Sequence, residues 1–131
     1  MFLDASAIIA IVAGEDDAAS LAARLGRATH AYTSPIAVYE ATLGLARIGN
    51  AELVDTAAVL DRFLAEVQAV VVPIDAELGR NAIIAFDRFG KGRHPAALNL
   101  GDCFAYACAQ RLDVALLCKG SDFPRTDAVL A

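Results

Sequence analysis

No apolar stretch in this 131-residue chain approaches the roughly 20 residues that a membrane-spanning helix needs; the longest, such as Ala7 to Ala13, fall far short. The first residues also lack the basic segment of a secretory signal, so a soluble, cytoplasmic protein is expected. Cysteine is scarce and odd in number: Cys103, Cys108 and Cys118, with no Cys-x-x-Cys. Histidine is scarcer still, only His30 and His94. Together these counts exclude a disulfide framework and argue against a zinc site. Cys103 and Cys108 are expected to pack as small hydrophobes. Basic residues are outnumbered, 11 against 16 acids for a net charge of -5, which argues against a surface broadly suited to nucleic acid. Local charge runs the other way in one place. Arg80, Arg88, Lys91 and Arg93 stand against only Asp87, either a solvated helix end with a basic loop or a phosphate-binding segment.

What the chain does have is apolar mass. At 57% hydrophobic residues, with no shift in composition along its length, it is expected to form a single domain over residues 1–131 around a substantial core. Met1 to Leu3 reads as a short buried strand, followed by helical periodicity over 6–13 and 15–27 with a break at Gly14. Residues 31–33 form a second candidate strand. Ser34-Pro35 then starts a helix, serine as N-cap and proline in the first turn, that runs to about Ile48. A further helix over 51–67 leads to the β-branched run Ala69 to Pro73. Asp75 can cap a helix whose Leu78, Ala82, Ile83, Phe86 and Phe89 form one apolar stripe. After a loop over 90–95, a last helix spans about Leu100 to Arg111, and Val114 to Cys118 is an apolar strand closing on Lys119-Gly-Ser-Asp122.

Strands that alternate with helices and read as continuous apolar runs indicate a parallel sheet covered on both faces: an α/β sandwich. Ligands of such sheets bind beyond the carboxyl ends of the strands. Four acids are expected near that edge: Asp4 after the first strand, Glu40 two turns into the helix after the second, Asp102 at the start of the last long helix, and Asp122 after the last strand. Buried carboxylates must pair, protonate or bind a cation, so four together describe a divalent-metal site. Simpler roles compete. Asp4 can cap the first helix, Asp102 can form a capping arrangement with Asn99, Asp122 can be a turn residue, and Asp127 a surface acid. Glu40 resists such a reading, because its helical neighbours are Ile36, Ala37, Leu43 and Gly44, an apolar stripe.

Four blocks, Phe-Leu-Asp4-Ala-Ser6, Ser-Pro-Ile-Ala-Val-Tyr-Glu40-Ala, Leu-Asn-Leu-Gly-Asp102-Cys-Phe-Ala-Tyr-Ala and Lys-Gly-Ser-Asp122-Phe, run in order along essentially the whole chain. In these the sequence resembles the PIN-domain ribonucleases, specifically the VapC-type toxins of bacterial toxin–antitoxin pairs. The resemblance implies a PIN-like three-layer fold with a central parallel sheet and Mg2+- or Mn2+-dependent endoribonuclease activity leaving 5′-phosphate and 3′-hydroxyl ends. It also implies a homodimeric toxin and inhibition by a VapB-type antitoxin. One departure is Ser121, where many relatives carry Asn or Asp, which bears on the acid supply for a second ion.

Hard-cation chemistry fits these residues. Mg2+ takes few protein carboxylates, keeps several waters and completes its octahedron with substrate phosphate. Asp4 and Asp102 are the expected direct ligands, Glu40 acts through a water, and Asp122 completes the cluster or helps hold a second ion. Ser6 and Thr126, by the same resemblance, hydrogen-bond the acids from behind. His30 and His94 stand alone in loop-like settings, which disfavours a metal-independent mechanism built on a histidine pair. An antitoxin can act by placing an Arg or Lys among the acids while an apolar segment packs on the Ala-rich helices of residues 6–27 and 35–64, which also offer close-packing surfaces for a self-dimer. Two other readings remain: a catalytically silent PIN-fold binding module, and a receiver-like phosphoacceptor domain. The latter fits less well, because it calls for adjacent acids early in the chain, where Asp4 stands alone.

Overall fold

The computed structural model describes residues 1–131. Its elements in chain order are β1 (Phe2–Leu3), α1 (Ala5–Ala13), α2 (Ala18–Leu25), β2 (Ala31–Thr33), α3 (Pro35–Gly49), α4 (Leu53–Glu66), β3 (Ala69–Val71), α5 (Ala76–Phe89), α6 (Leu100–Leu112) and β4 (Leu116–Leu117). A 3-10 turn over Phe123–Arg125 follows. The four strands form one wholly parallel sheet in the order β3-β2-β1-β4. Helices cover both faces, so the α/β sandwich read from the alternation of strands and helices is the observed architecture.

Adjacent strand residues point to opposite faces, and that alternation splits the interior in two. Phe2 and Leu116 face a core built with Leu78, Ala82, Phe89 and Tyr106 of α5 and α6. Leu3 and Leu117 face the other, built with Ile8, Leu21, Ala41 and Leu60 of α1 to α4. Because both central strands are buried on both sides, they read as unbroken apolar runs.

Helix starts follow local chemistry. Ser34 accepts from the Ala37 N–H at 3.2 Å, and Asp75 from the Leu78 N–H at 2.8 Å. Gly14 ends α1 in the left-handed conformation at φ 68°, which glycine adopts without steric cost.

Two sequence expectations are corrected. The stripe on α5 is not a single buried face: Leu78, Ala82, Ala85 and Phe89 are buried, whereas Ile83 is 70% exposed and Phe86 is also exposed. One step along a helix rotates a side chain by about 100°, so Ile83 cannot share a face with Ala82. The expectation of strands covered on both faces fails at β3, where Val70 and Val71 are exposed on the sheet edge.

Candidate active site

The order of the strands reverses at β1. The chain proceeds from β1 to β2 and β3 on one side, then returns to place β4 on the other. The region beyond the carboxyl ends of β1 and β4 is therefore the switch point where parallel sheets place ligands. Leu3 is level with Leu117, and the Asp4 N–H continues the ladder by donating to the Leu117 carbonyl at 3.0 Å. Asp4 on one strand and the segment from Cys118 to Asp122 on the next thus leave the sheet side by side.

Asp4 is only 4% exposed. Its Oδ2 accepts from the Ser6 N–H at 3.0 Å and from the Ser6 hydroxyl, so it does cap α1. The same hydroxyl accepts from the Lys119 N–H at 3.0 Å. Ser6 therefore ties Asp4 to the end of β4, which supports the expected role of Ser6 behind the acid. Burial pushes the Asp4 carboxyl up against these donors, and the charge of Asp122 adds to that.

Asp102 also serves as a cap. Its N–H donates to Asn99 Oδ1 and its Oδ2 accepts from the Asn99 N–H, both at 2.9 Å, a reciprocal box at the start of α6. Desolvation nevertheless pushes its carboxyl up to about 6, with Asp4 and Asp122 contributing, against the Asn99 hydrogen bond. Glu40, half-buried on α3, is pushed up by burial first and then by Asp4 and Asp102, with no hydrogen-bond donor to oppose the rise. Asp122 is exposed on the loop after β4, beside Ser121, and its charge acts on both Asp4 and Asp102. The fold thus brings all four acids into one electrostatic neighbourhood.

They do not form a ready-made cage. No group of three or more Asp, Glu, His or Cys side chains is arranged to clasp one ion. Like charges repel, and Asp4 and Asp102 each turn an oxygen onto a backbone N–H at their own helix start. The donor set still suits a hard divalent cation: all four groups are carboxylates, and no basic side chain is among the charges acting on Asp4, Glu40 or Asp102 to offset their repulsion. The Lys119 ammonium is turned to Glu15 and to Asp17 instead.

A family model for the PIN domain matches residues 1–129. The chain belongs to the PIN-domain family. It is 39% identical to a VapC ribonuclease of Rhizobium meliloti, over 96% of this chain and 97% of the relative. It is 41% identical to the ribonuclease VapC36 of Mycobacterium tuberculosis, over 97% of this chain and 90% of the relative. The fold superposes on the crystal structure of Mycobacterium tuberculosis VapC20, a sarcin–ricin loop cleaving toxin, with a TM-score of 0.80. That match covers 99% of this chain and 97% of the other at 16% identity, and so bears on the fold, which is PIN-like.

Other expected site residues of this PIN domain fall elsewhere. Thr126 donates to the Phe123 carbonyl at 2.7 Å and accepts from the Ala128 N–H at 3.1 Å. It closes the 3-10 turn and supports none of the acids, a correction to the role implied by resemblance. Arg80, Arg88, Lys91 and Arg93 lie on α5 and the loop after it, and none is among the charges that act on Asp4, Glu40 or Asp102. Arg88 is held by Asp127 at 2.7 Å and Arg93 by Asp87 at 2.8 Å, whereas Arg80 and Lys91 make no ion pair. Asp127 is therefore no idle surface acid: it also accepts from the Tyr106 hydroxyl at 2.5 Å, and these partners hold its carboxyl below the usual range.

Two neighbours of the acids escaped sequence reasoning. Cys118, one residue beyond β4, has its thiol pushed up to about 12 by burial and by Asp4, Asp102 and Asp122, so it stays protonated. Its position after an apolar strand was the available signal. Cys103 and Cys108 are buried as expected, with thiols near 11. The second is Gly101, against which the Glu40 carboxylate rests. The Gly-Asp102 pair signalled it, but only the packing of α3 on α6 reveals the contact.

Proposed function

We propose that the protein is a Mg2+- or Mn2+-dependent endoribonuclease, the toxin of a VapBC-type toxin–antitoxin pair, acting in the cytoplasm as a single PIN domain over residues 1–131. The observation that carries this reading is the convergence of Asp4, Glu40, Asp102 and Asp122 at the switch point with no cation of the chain among them. The names of its VapC ribonuclease relatives support the choice of RNA as substrate.

Asp4 and Asp102 would hold the ion directly, with Glu40 and Asp122 bound through water or holding a second ion. A divalent cation in such a site lowers the pKa of water and offsets charge gathering on a phosphate. The chain supplies the rest. Ser6 and Asn99 fix one oxygen of Asp4 and of Asp102, which limits the directions their other oxygens can take. Glu40, free of donors, accepts a hydrogen bond from the attacking water and aligns it with the scissile phosphorus. Arg80 and Lys91 are the unpaired cations available for backbone phosphates along α5.

Two exposed apolar faces support the two protein partners. Tyr39 and Leu43 flank Glu40 on α3, where an apolar antitoxin segment would place its own cation among the acids. Ile83 and Phe86 of α5 and Leu100 of α6 form the second face, suited to a homodimer. A receiver-like reading is disfavoured by Lys119, whose ammonium is held by Glu15 and Asp17.

The test is cleavage of a mixed cellular RNA pool by antitoxin-free protein with Mg2+ or Mn2+, beside Asp4→Asn and Asp102→Asn. Cleavage lost with chelator and in both variants supports the reading. Folded, Mn2+-binding protein that leaves every RNA intact points to the silent binding module.

A further inference from the structure

Gly101 is the second residue of α6 and is buried. Its backbone is ordinary helix, without the positive φ that would call for glycine. Glycine inside a helix is normally worse than alanine, because it gives up more conformational freedom on folding. Local structure therefore offers no reason for glycine here.

The reason lies across the interface with α3. A Cβ built on Gly101 would fall 2.1 Å from Oε2, 2.3 Å from Oε1 and 2.4 Å from Cδ of Glu40. These three atoms are the entire carboxylate, so the space a side chain would take is the space the carboxylate holds. Other crowded glycines differ in what they meet. A Cβ at Gly90 would strike the Phe86 carbonyl oxygen at 2.4 Å, which is backbone, and one at Gly44 would strike the tip of Ile9 at 2.6 Å, a half-buried apolar side chain. At Gly101 the obstacle is the free end of a flexible acid. An added methyl group would swing that acid aside and leave the packing of α3 on α6 in place.

We propose that Gly101 is a positioning residue of the site: its bare α-carbon is the seat that sets the Glu40 carboxylate among Asp4 and Asp102. The inference rests on the reading of Glu40 as part of a divalent-metal site. It names the feature that lets a residue on α3 reach acids held by β1 and α6. The stability given up by choosing glycine over alanine in the first turn of α6 goes into that placement.

The experiment is a double-variant cycle with Gly101→Ala and Glu40→Ala, singly and together. Mn2+ affinity is read by titration calorimetry, cleavage on the RNA pool, and folding by Tm. Gly101→Ala is expected to melt at or above the wild-type Tm, yet to lose about 10- to 100-fold in Mn2+ affinity or cleavage, the range usual for groups that orient a metal's ligands. Added to Glu40→Ala, it should change Mn2+ affinity no further. Wild-type affinity and cleavage in Gly101→Ala, a lowered Tm, or a loss that adds to that of Glu40→Ala would each overturn the inference. If Glu40→Ala alone keeps wild-type affinity and cleavage, the assignment of Glu40 fails, and the single variant reports that separately.

Discussion

Asn99 and Asp102 hold each other at the start of α6, each side chain accepting from the other's backbone N–H at 2.9 Å. The box caps the helix and also aims a carboxylate whose pKa is pushed up to about 6. Removing the two residues should therefore have different consequences. Asn99→Ala should lower stability by about 1 kcal/mol through loss of the cap, and reduce cleavage because Asp102 is no longer held. Asp102→Asn keeps an oxygen for the Asn99 N–H and removes a crowded charge, so its Tm in chelator at neutral pH should stand at or above wild type while cleavage is lost. Thermal melts and cleavage assays on the two variants check this pair of outcomes.

The acid cluster makes metal-free stability depend on pH in an unusual direction. Burial and its acidic neighbours push the Asp102 carboxyl up to about 6 from the 3.8 of an unperturbed aspartate, and Asp4 and Glu40 are also raised. A carboxyl with a raised pKa holds its proton more tightly when folded, so stability falls as pH rises through the window from 3.8 to about 6. In chelator the protein should melt lower at about pH 7.5 than at about pH 5, and Mn2+ should restore the loss. Asp75 and Asp127, whose pKa values are lowered, change their contribution only below the ordinary aspartate value of 3.8, outside that window. A flat or opposite profile of Tm against pH would count against crowded, uncompensated acids.

Ser6 and Thr126 separate a supporting hydroxyl from a bystander. Ser6→Ala removes a donor to Asp4 and the acceptor for the Lys119 N–H, which should cost about 1 kcal/mol and about 10- to 100-fold in cleavage. Thr126→Ala breaks only the bonds that close the 3-10 turn, so activity at a temperature well below its Tm should match wild type. Equal loss of activity in the two would contradict this division.

Among Arg80, Arg88, Lys91 and Arg93, the ion pairs predict who touches RNA. Arg80 and Lys91 are unpaired, so Arg80→Ala and Lys91→Ala should each weaken RNA binding and reduce the slope of log K against log salt by about 0.7, the value for one phosphate contact on a single strand. Arg88→Ala should act chiefly on stability, because Arg88 already holds Asp127 at 2.7 Å and donates to the Tyr106 hydroxyl at 3.3 Å. Binding titrations on a catalytically inactive background, at several salt concentrations, distinguish the two effects.

Much of this protein is legible along the chain because the physics is local. Continuous apolar runs at Phe2–Leu3 and Leu116–Leu117 mark strands buried on both faces, and Ser34-Pro35, Asp75 and Asn99 announce helix starts through hydrogen bonds to N–H groups a few residues away. The four acids stood out for the same reason, as charges where the local pattern calls for burial. Tertiary structure decided which apolar positions are covered, so Ile83 and Phe86 became surface although they share a helix with buried Leu78 and Phe89. It also gave Arg88 to Asp127 and placed Glu40 on Gly101, residues far apart in sequence. Hydrogen bonding and periodicity act over a few residues and can be read from their order. Steric exclusion and like-charge coupling act through space, and only the packing of α3 on α6 and of β1 beside β4 brings them into force.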